Sequence, residues 1–279
     1  MNAPPAPLYG LVLAGGRSTR MQRDKAAIEY QAGETQLDAA VKLLAPRVER
    51  VFVSVRADQS GERARAGYAQ IVDRGDVEGP IAGISAALAE HPQVAWLVLA
   101  CDLPFLDAAT LDTLIAARNT ASDATAFRSS HDGLPEPLCA IYEPRARAAI
   151  AAHIAGGRNC PRKFLINAGT SLLDQPNPRA LDNVNTVAEY GAAMDALHET
   201  REIRVQYYAL LREQAGRSNE TLATRARTPR ELYTELAAKY PFTLPAEMLR
   251  VAVNAEFGDW TQPLQAGDAV VFIPPVAGG

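Results

Sequence analysis

The sequence has no run of about 18 apolar residues, the length a membrane-spanning helix needs. Its opening, Met1 to Pro7, lacks the basic stretch and apolar core of a secretory signal. A cytoplasmic location without a membrane partner is therefore expected. Cysteine is scarce: Cys101, Cys139 and Cys160 are the only three, and they stand too far apart for a CxxC zinc or redox pattern. They are expected to be reduced and structural. The four histidines, His91, His131, His153 and His198, show no ligand spacing and read as surface residues. There is no long basic run, and with a formal net charge of −4 this argues against nucleic acid as the main partner. The arginines of residues 201–230 are interleaved with Glu and polar residues, as on a solvated surface. Neither an internal repeat nor a low-complexity linker interrupts the chain.

What is present is enough chain, 279 residues, for one large domain or two smaller ones, each with its own core. From residue 8 to about residue 197, apolar runs alternate with helical patterns. Strands are predicted over 8–13, 51–55 and 94–100, and helices over 35–44, 81–89 and 106–117. Strands that read as continuous apolar runs are covered on both faces, so the fold class is α/β, a doubly wound Rossmann-like sheet. Ligands of such sheets bind beyond the carboxyl ends of the strands. The last helix opens with a capping box, Thr186 and Glu189. The pattern then changes: residues 203–207 alternate with period 2, and a helix at 229–239 and strands at 249–253 and 269–273 follow. This is a compact α+β pattern of about 80 residues. The charged stretch His198-Glu199-Thr200-Arg201 separates the two, giving domains 1–199 and 200–279.

Two places carry chemistry. The first strand runs into Leu13-Ala14-Gly15-Gly16, and Arg17, Arg20 and Lys25 follow. Paired glycines bring backbone N–H groups close to a ligand, and such groups favour anionic oxygens. Lys25 would then neutralise phosphate as a point charge, and Arg20 could grip it bidentately. The run is neither GxxxxGK[ST] nor GxGxxG, and an ordinary glycine turn with basic neighbours has the same composition. Asp102 follows the strand at 94–100, so its carboxylate sits in the ligand crevice, where a hard oxygen ligand can hold a divalent cation. Asp73 follows the apolar pair Ile71-Val72 and precedes Gly75. An Asp at either place also serves as a cap or turn former. The other place is the tail: two prolines, Pro274 and Pro275, lead into Val276-Ala277-Gly278-Gly279. A Gly-Gly end is either a plain flexible terminus or a carboxylate able to thread a narrow enzyme site.

Order and spacing add to this. Leu13-Ala14-Gly15-Gly16-x-Ser18-x-Arg20-Met21-x-x-Asp24-Lys25-Ala26 resembles the signature of the nucleotidyltransferases that make nucleotide sugars and molybdenum cofactor dinucleotides. Gly79-Pro80-Ile81-Ala82-Gly83-Ile84, Cys101-Asp102-Leu103-Pro104-Phe105, Glu136-Pro137-Leu138 and Asn183-Val184-Asn185-Thr186 continue the resemblance, which is greatest to molybdenum cofactor guanylyltransferase. It implies attack of a molybdopterin phosphate oxygen on the α-phosphorus of GTP, with release of pyrophosphate. The implied nucleotide-binding residues are Leu13, Ala14, Gly15, Gly16, Lys25, Ser54, Asp73, Gly79 and Asp102. Lys25, Arg20 and Asp102 are the implied catalytic residues, Asp102 the Mg²⁺ ligand, and Asn183 and Asn185 the molybdopterin contacts. Cytidylyltransferase relatives usually carry Ala-Ala-Gly at residues 14–16, which favours GTP. The chain departs from the pattern at Gln22-Arg23, where a glycine is frequent, and at Ser54, often Asn.

From Ile203 to the terminal Ile-Pro-Pro-Val-Ala-Gly-Gly the chain resembles the small subunit of molybdopterin synthase. That resemblance implies a ubiquitin-like β-grasp fold whose terminal carboxylate, on Gly279 beside Gly278, is adenylated and converted to a thiocarboxylate. Its implied partners are the large synthase subunit and an adenylating, sulfurating enzyme. The expectation is a fusion of the two activities. The alternatives are a cytidylyl- or sugar-nucleotidyltransferase, a carrier of the thiamine or tRNA type, and a domain that only binds or regulates.

Overall fold

The computed structural model describes residues 4–15, 26, 28–31 and 34–275. The chain forms two compact units, residues 1–193 and 194–279. In the first, the elements are β1 (Leu8–Leu13), β2 (Glu29–Gln31), β3 (Glu34–Thr35), α1 (Gln36–Leu44), β4 (Val51–Val55) and β5 (Gln70–Val72). They continue with α2 (Pro80–Glu90), β6 (Ala95–Ala100), α3 (Ala108–Ala116), β7 (Ala124–Arg128), β8 (Pro135–Tyr142) and α4 (Ala146–Ala155). Next come α5 (Pro161–Asn167), β9 (Thr170–Leu173) and α6 (Val187–His198). The units divide inside α6, whereas the sequence reading places the change after it, at 199/200. The end of that helix belongs to the second unit, where the Arg227 guanidinium donates to the Ala196 carbonyl.

Seven strands form one sheet in the order β5-β4-β1-β6-β8-β7-β9. Its first four strands are mutually parallel, and β8 runs antiparallel to both β6 and β7. Alternate residues of the central strands feed two cores. Leu11, Phe52, Trp96 and Val98 meet Ile81, Ile84 and Leu88 of α2, Ile150 of α4 and Phe164 of α5 on one face. Val12, Val53, Leu97 and Leu99 meet Leu37 and Leu44 of α1 and Leu111 and Leu114 of α3 on the other. Burial on both faces explains the nearly unbroken apolar runs of β1, β4 and β6. Helix α1 begins where Thr35 Oγ1 accepts from the Asp38 N–H (3.1 Å) and the Asp38 carboxylate accepts from the Thr35 N–H (3.2 Å). Such a box contributes about 1 kcal/mol. The box expected at Thr186 and Glu189 also forms: Thr186 Oγ1 accepts from the Glu189 N–H at 3.2 Å.

The expectation of surface histidines is corrected. His153 on α4 is 4% exposed and lies edge-on to Phe164, and burial holds its pKa below the usual imidazole value. His91 is half-buried in a ring cluster with Tyr9, Phe52 and Trp96. An imidazole packs as an aromatic ring, which ligand spacing does not detect. His131 is exposed, and the side chain of His198 is outside the described part. The cysteines are free thiols, with Cys101 and Cys139 buried and Cys160 exposed.

The second unit contains β10 (Arg201–Tyr207), α7 (Ala209–Ala215), β11 (Asn219–Thr224), α8 (Pro229–Lys239), β12 (Arg250–Val253), β13 (Glu256–Phe257) and β14 (Ala269–Ile273). The strand order is β11-β10-β14-β12-β13. The first and last strands thus lie side by side and parallel at the centre, Tyr207 opposite Phe272. Ile203, Val205 and Tyr207 point into the core with Val251, Val270 and Phe272, and Leu232, Tyr233 and Leu236 of α8 cover them. Helix α8 starts on Thr228, whose side chain accepts from the Glu231 N–H at 3.3 Å, and on Pro229 at its first position. Two hairpins and a covering helix around a central parallel pair make this a β-grasp sheet.

Candidate active site

The register of the parallel strands gathers the site. Leu13 lies opposite Ser54 of β4 and Ala100 of β6, and Val55 lies opposite Val72 of β5. With strands about 4.8 Å apart, Ser54 and Ala100 flank Leu13 across roughly 10 Å. Residues 14–15, 56, 73 and 101–102 therefore leave the sheet from one carboxyl edge.

Beyond β1, Ala14 stays in the sheet through its N–H, donated to the Ser54 carbonyl at 3.1 Å. Its own carbonyl accepts from Arg65 Nε at 3.2 Å and Nη2 at 2.8 Å. Arg65 is fully buried and also pairs with Glu62. The next carbonyl, of Gly15, accepts from Arg56. A Cβ on Gly15 would lie 2.8 Å from the Asp73 carboxylate, so any side chain there would push that carboxylate aside.

Asp73 accepts a hydrogen bond from the Ser54 hydroxyl. Burial raises its pKa above the usual carboxylate value, opposed by that hydrogen bond and by the charge of Arg56. Gly83, in the first turn of α2, faces the same pair: a Cβ there would overlap Ser54 Oγ and reach 3.0 Å from Asp73 Oδ1. Gly79 caps α2 with φ +82°, and its Cβ position is open.

Asp102 lines a cleft with Ala100, Leu103, Glu136, Arg162 and Asn183. The Asp102 carbonyl accepts from the Val184 N–H at 3.1 Å, tying the Asn183 segment to the end of β6. Arg162 bridges Glu136 (2.9 Å) and Asp132 (3.0 Å) along one wall. Asn183 thus shares the cleft with Asp102. Asn185 does not line it, and its N–H donates to Glu189 at 2.6 Å in the cap of α6. Among the described residues no three His, Cys, Asp or Glu side chains group as a metal cage. Gly16, Arg20, Lys25, Gly278 and Gly279 lie outside the described residues.

Arg65, Arg56, Gly83, Glu136 and Arg162 are residues of this neighbourhood that the sequence reading does not select. Gly83 stands inside a quoted segment and Glu136 begins another, so a signal existed for both. Arg65 stands in the irregular connection between β4 and β5, where no periodicity marks burial.

Both units resemble known proteins. The model of the MobA-like NTP transferase domain matches residues 10–171, and the ThiS family model matches residues 205–279. A molybdenum cofactor guanylyltransferase of Pseudomonas fluorescens is 35% identical over 193 residues, 67% of this chain and 93% of that one. A molybdenum cofactor biosynthesis bifunctional protein of Synechocystis sp. is 38% identical over 185 residues, 66% of this chain but 53% of the relative's length. In structure, molybdopterin-guanine dinucleotide biosynthesis protein A of Archaeoglobus fulgidus superposes with a TM-score of 0.57 at 22% identity, covering 67% of this chain and 97% of its own. That likeness establishes the α/β fold. With the strand-end site, these matches place the chain in the MobA-like NTP transferase family, joined to a ThiS-family domain.

Proposed function

We propose that the first unit transfers GMP from GTP to Mo-molybdopterin, releasing pyrophosphate, and that the second is a sulfur carrier for molybdopterin synthesis. The observation that carries the transferase reading is the convergence of Gly15, Asp73 and Asp102 on one edge of the parallel strands. An acceptor phosphate oxygen attacks the α-phosphorus, the bond from that phosphorus to the β-phosphate oxygen breaks, and pyrophosphate leaves. Such a displacement needs in-line positioning and neutralised charge rather than a nucleophilic side chain. The Gly15 N–H offers a donor to phosphate oxygen, and Lys25 and Arg20 are assigned the charge. Leu13, Ala14, Gly16, Ser54, Asp73 and Gly79 are assigned to the nucleotide, and Asn183 and Asn185 to the acceptor. A single strand-end carboxylate suits a cation that keeps phosphate and water ligands, as Mg²⁺ does. Asp102 would hold it, and the ion's contribution is to neutralise the triphosphate.

The carrier reading rests on the β-grasp strand order and the match at 205–279. Its assigned site is Gly278-Gly279, and its assigned partners are the large subunit of molybdopterin synthase and an enzyme that adenylates and sulfurates the tail. We assign residues 1–199 to the transferase and 200–279 to the carrier.

The test is pyrophosphate release from GTP or CTP with Mo-molybdopterin or with sugar phosphates. Release from GTP with the cofactor is expected. Release only with a sugar phosphate overturns the assignment, and release from CTP alone overturns the base. The carrier is tested by the intact mass of the chain after incubation with an adenylating enzyme and ATP.

A further inference from the structure

We infer that Arg65 is a positioning residue of the nucleotide site, holding the Ala14–Gly15 peptide so that the Gly15 N–H faces the triphosphate. The inference rests on the nucleotidyltransferase reading and adds a residue to it. Across a planar trans peptide, the carbonyl of one residue and the N–H of the next point in opposite directions. The Ala14 carbonyl is drawn toward the β4–β5 connection by two N–H groups of Arg65, at 3.2 and 2.8 Å. The Gly15 N–H is thereby turned the other way, and no backbone hydrogen bond of this group occurs among the described residues. The Ala14 N–H is fixed in the sheet to Ser54, so the residue is held at both ends.

Burial gives the arrangement its force. Arg65 is 0% exposed, and a buried guanidinium is tolerated only where its donors are used. It directs two of them to one main-chain oxygen beside the glycine pair. Without that pull the Ala14 carbonyl could rotate toward the ligand crevice, presenting a negative dipole to phosphate in place of a donor. Arg56 acts on the following carbonyl, of Gly15, in the same sense. Both arginines come from the connection after β4, so one segment holds two successive carbonyls.

Calorimetry on the full chain tests this with GTP, pyrophosphate and guanosine, comparing wild type with Arg65→Ala and Arg65→Lys. We expect Arg65→Ala to weaken GTP and pyrophosphate by about tenfold or more, as loss of a charge-assisted hydrogen bond does, and to leave guanosine unchanged. Added methylguanidinium should restore GTP affinity to Arg65→Ala, while methylammonium should not. If Arg65→Ala does not fold, Arg65→Lys keeps the charge but not the two-pronged grip, and should show the same split between GTP and guanosine. Equal losses for GTP and guanosine in a folded variant, or no loss, overturn the positioning role. A wild-type chain that binds CTP in place of GTP overturns the base assignment alone, whereas one that binds no nucleoside triphosphate and no pyrophosphate overturns both readings.

Discussion

Each unit has a central strand that leads toward its proposed site. In the first, β1 runs into the glycine pair, and side chains more than forty residues away in sequence, Arg56 and Arg65, hold the peptides that follow it. In the second, β14 ends at Ile273, and Pro274 and Pro275 carry the chain onward. The transferase edge is built by long-range contacts, whereas the restriction that Pro274 and Pro275 place on the backbone is local. Damage to the first site should therefore spread through packing. Damage to the tail should remain confined to it.

The sharpest break is deletion of Gly279. It shortens the reach of the carboxylate by roughly 3.5 Å, enough to lose near-attack geometry in an adenylating enzyme. Adenylation should be abolished while GTP turnover stays normal, measured by tail mass and pyrophosphate release on one preparation. Full sulfur transfer by the shortened chain would remove the carrier assignment. Next is Asp102→Ala, expected to cost guanylylation at least about a hundredfold, roughly 2.7 kcal/mol, with the tail still adenylated. Near-normal turnover would move the metal site.

Asp73→Asn probes the packed edge itself. A carboxyl whose folded pKa is raised above 3.8 keeps its proton more readily folded than unfolded. Its favourable contribution is present below the unfolded value and is lost as pH rises through the folded one. The amide oxygen introduced by the substitution keeps an acceptor for the Ser54 hydroxyl. Asp73→Asn should therefore stabilise the first unit at neutral pH, with the gain vanishing as pH falls below 3.8. GTP affinity should fall at the same time. Hydrogen exchange across the pH range would show it, and protection independent of pH would refute it.

The smallest effect is in the second unit. Asn254 and Ala255 join β12 to β13 with φ of +52° and +69°. That left-handed pair is the two-residue turn glycine favours, and it costs an alanine about 1 kcal/mol. Ala255→Gly should raise thermal stability by up to about 1 kcal/mol, offset partly by unfolded-chain entropy. A fall in stability would show that the turn is not strained.

The strands buried on both faces, β1, β4 and β6, are legible because their apolar runs are nearly unbroken. Strand β8 is not, since Pro135 and Pro137 break its pattern before the stretch paired with β6, which begins at Cys139. Asp73 and Asp102 are legible as residues that follow apolar runs. Ser54 is named through a resemblance, but its hydrogen bond to Asp73 depends on β4 lying beside β5. Arg65 is hidden for a stronger reason: an arginine in a polar connection reads as surface, and only the fold buries it.

The neighbouring terminal strands of the second unit have a mechanical consequence. Strand β10 follows the end of α6 and β14 leads toward the tail, and the two run parallel with Arg204 opposite Ala269 and Tyr207 opposite Phe272. Tension between the start of β10 and the end of β14 pulls them past each other lengthwise, so their hydrogen bonds are loaded together rather than opened one at a time. On its other side β14 is paired with β12, from Val270 to Ile273. The proposed adenylating enzyme would thus pull against a strand clamped on both edges. The sheet would bear such a pull without unravelling.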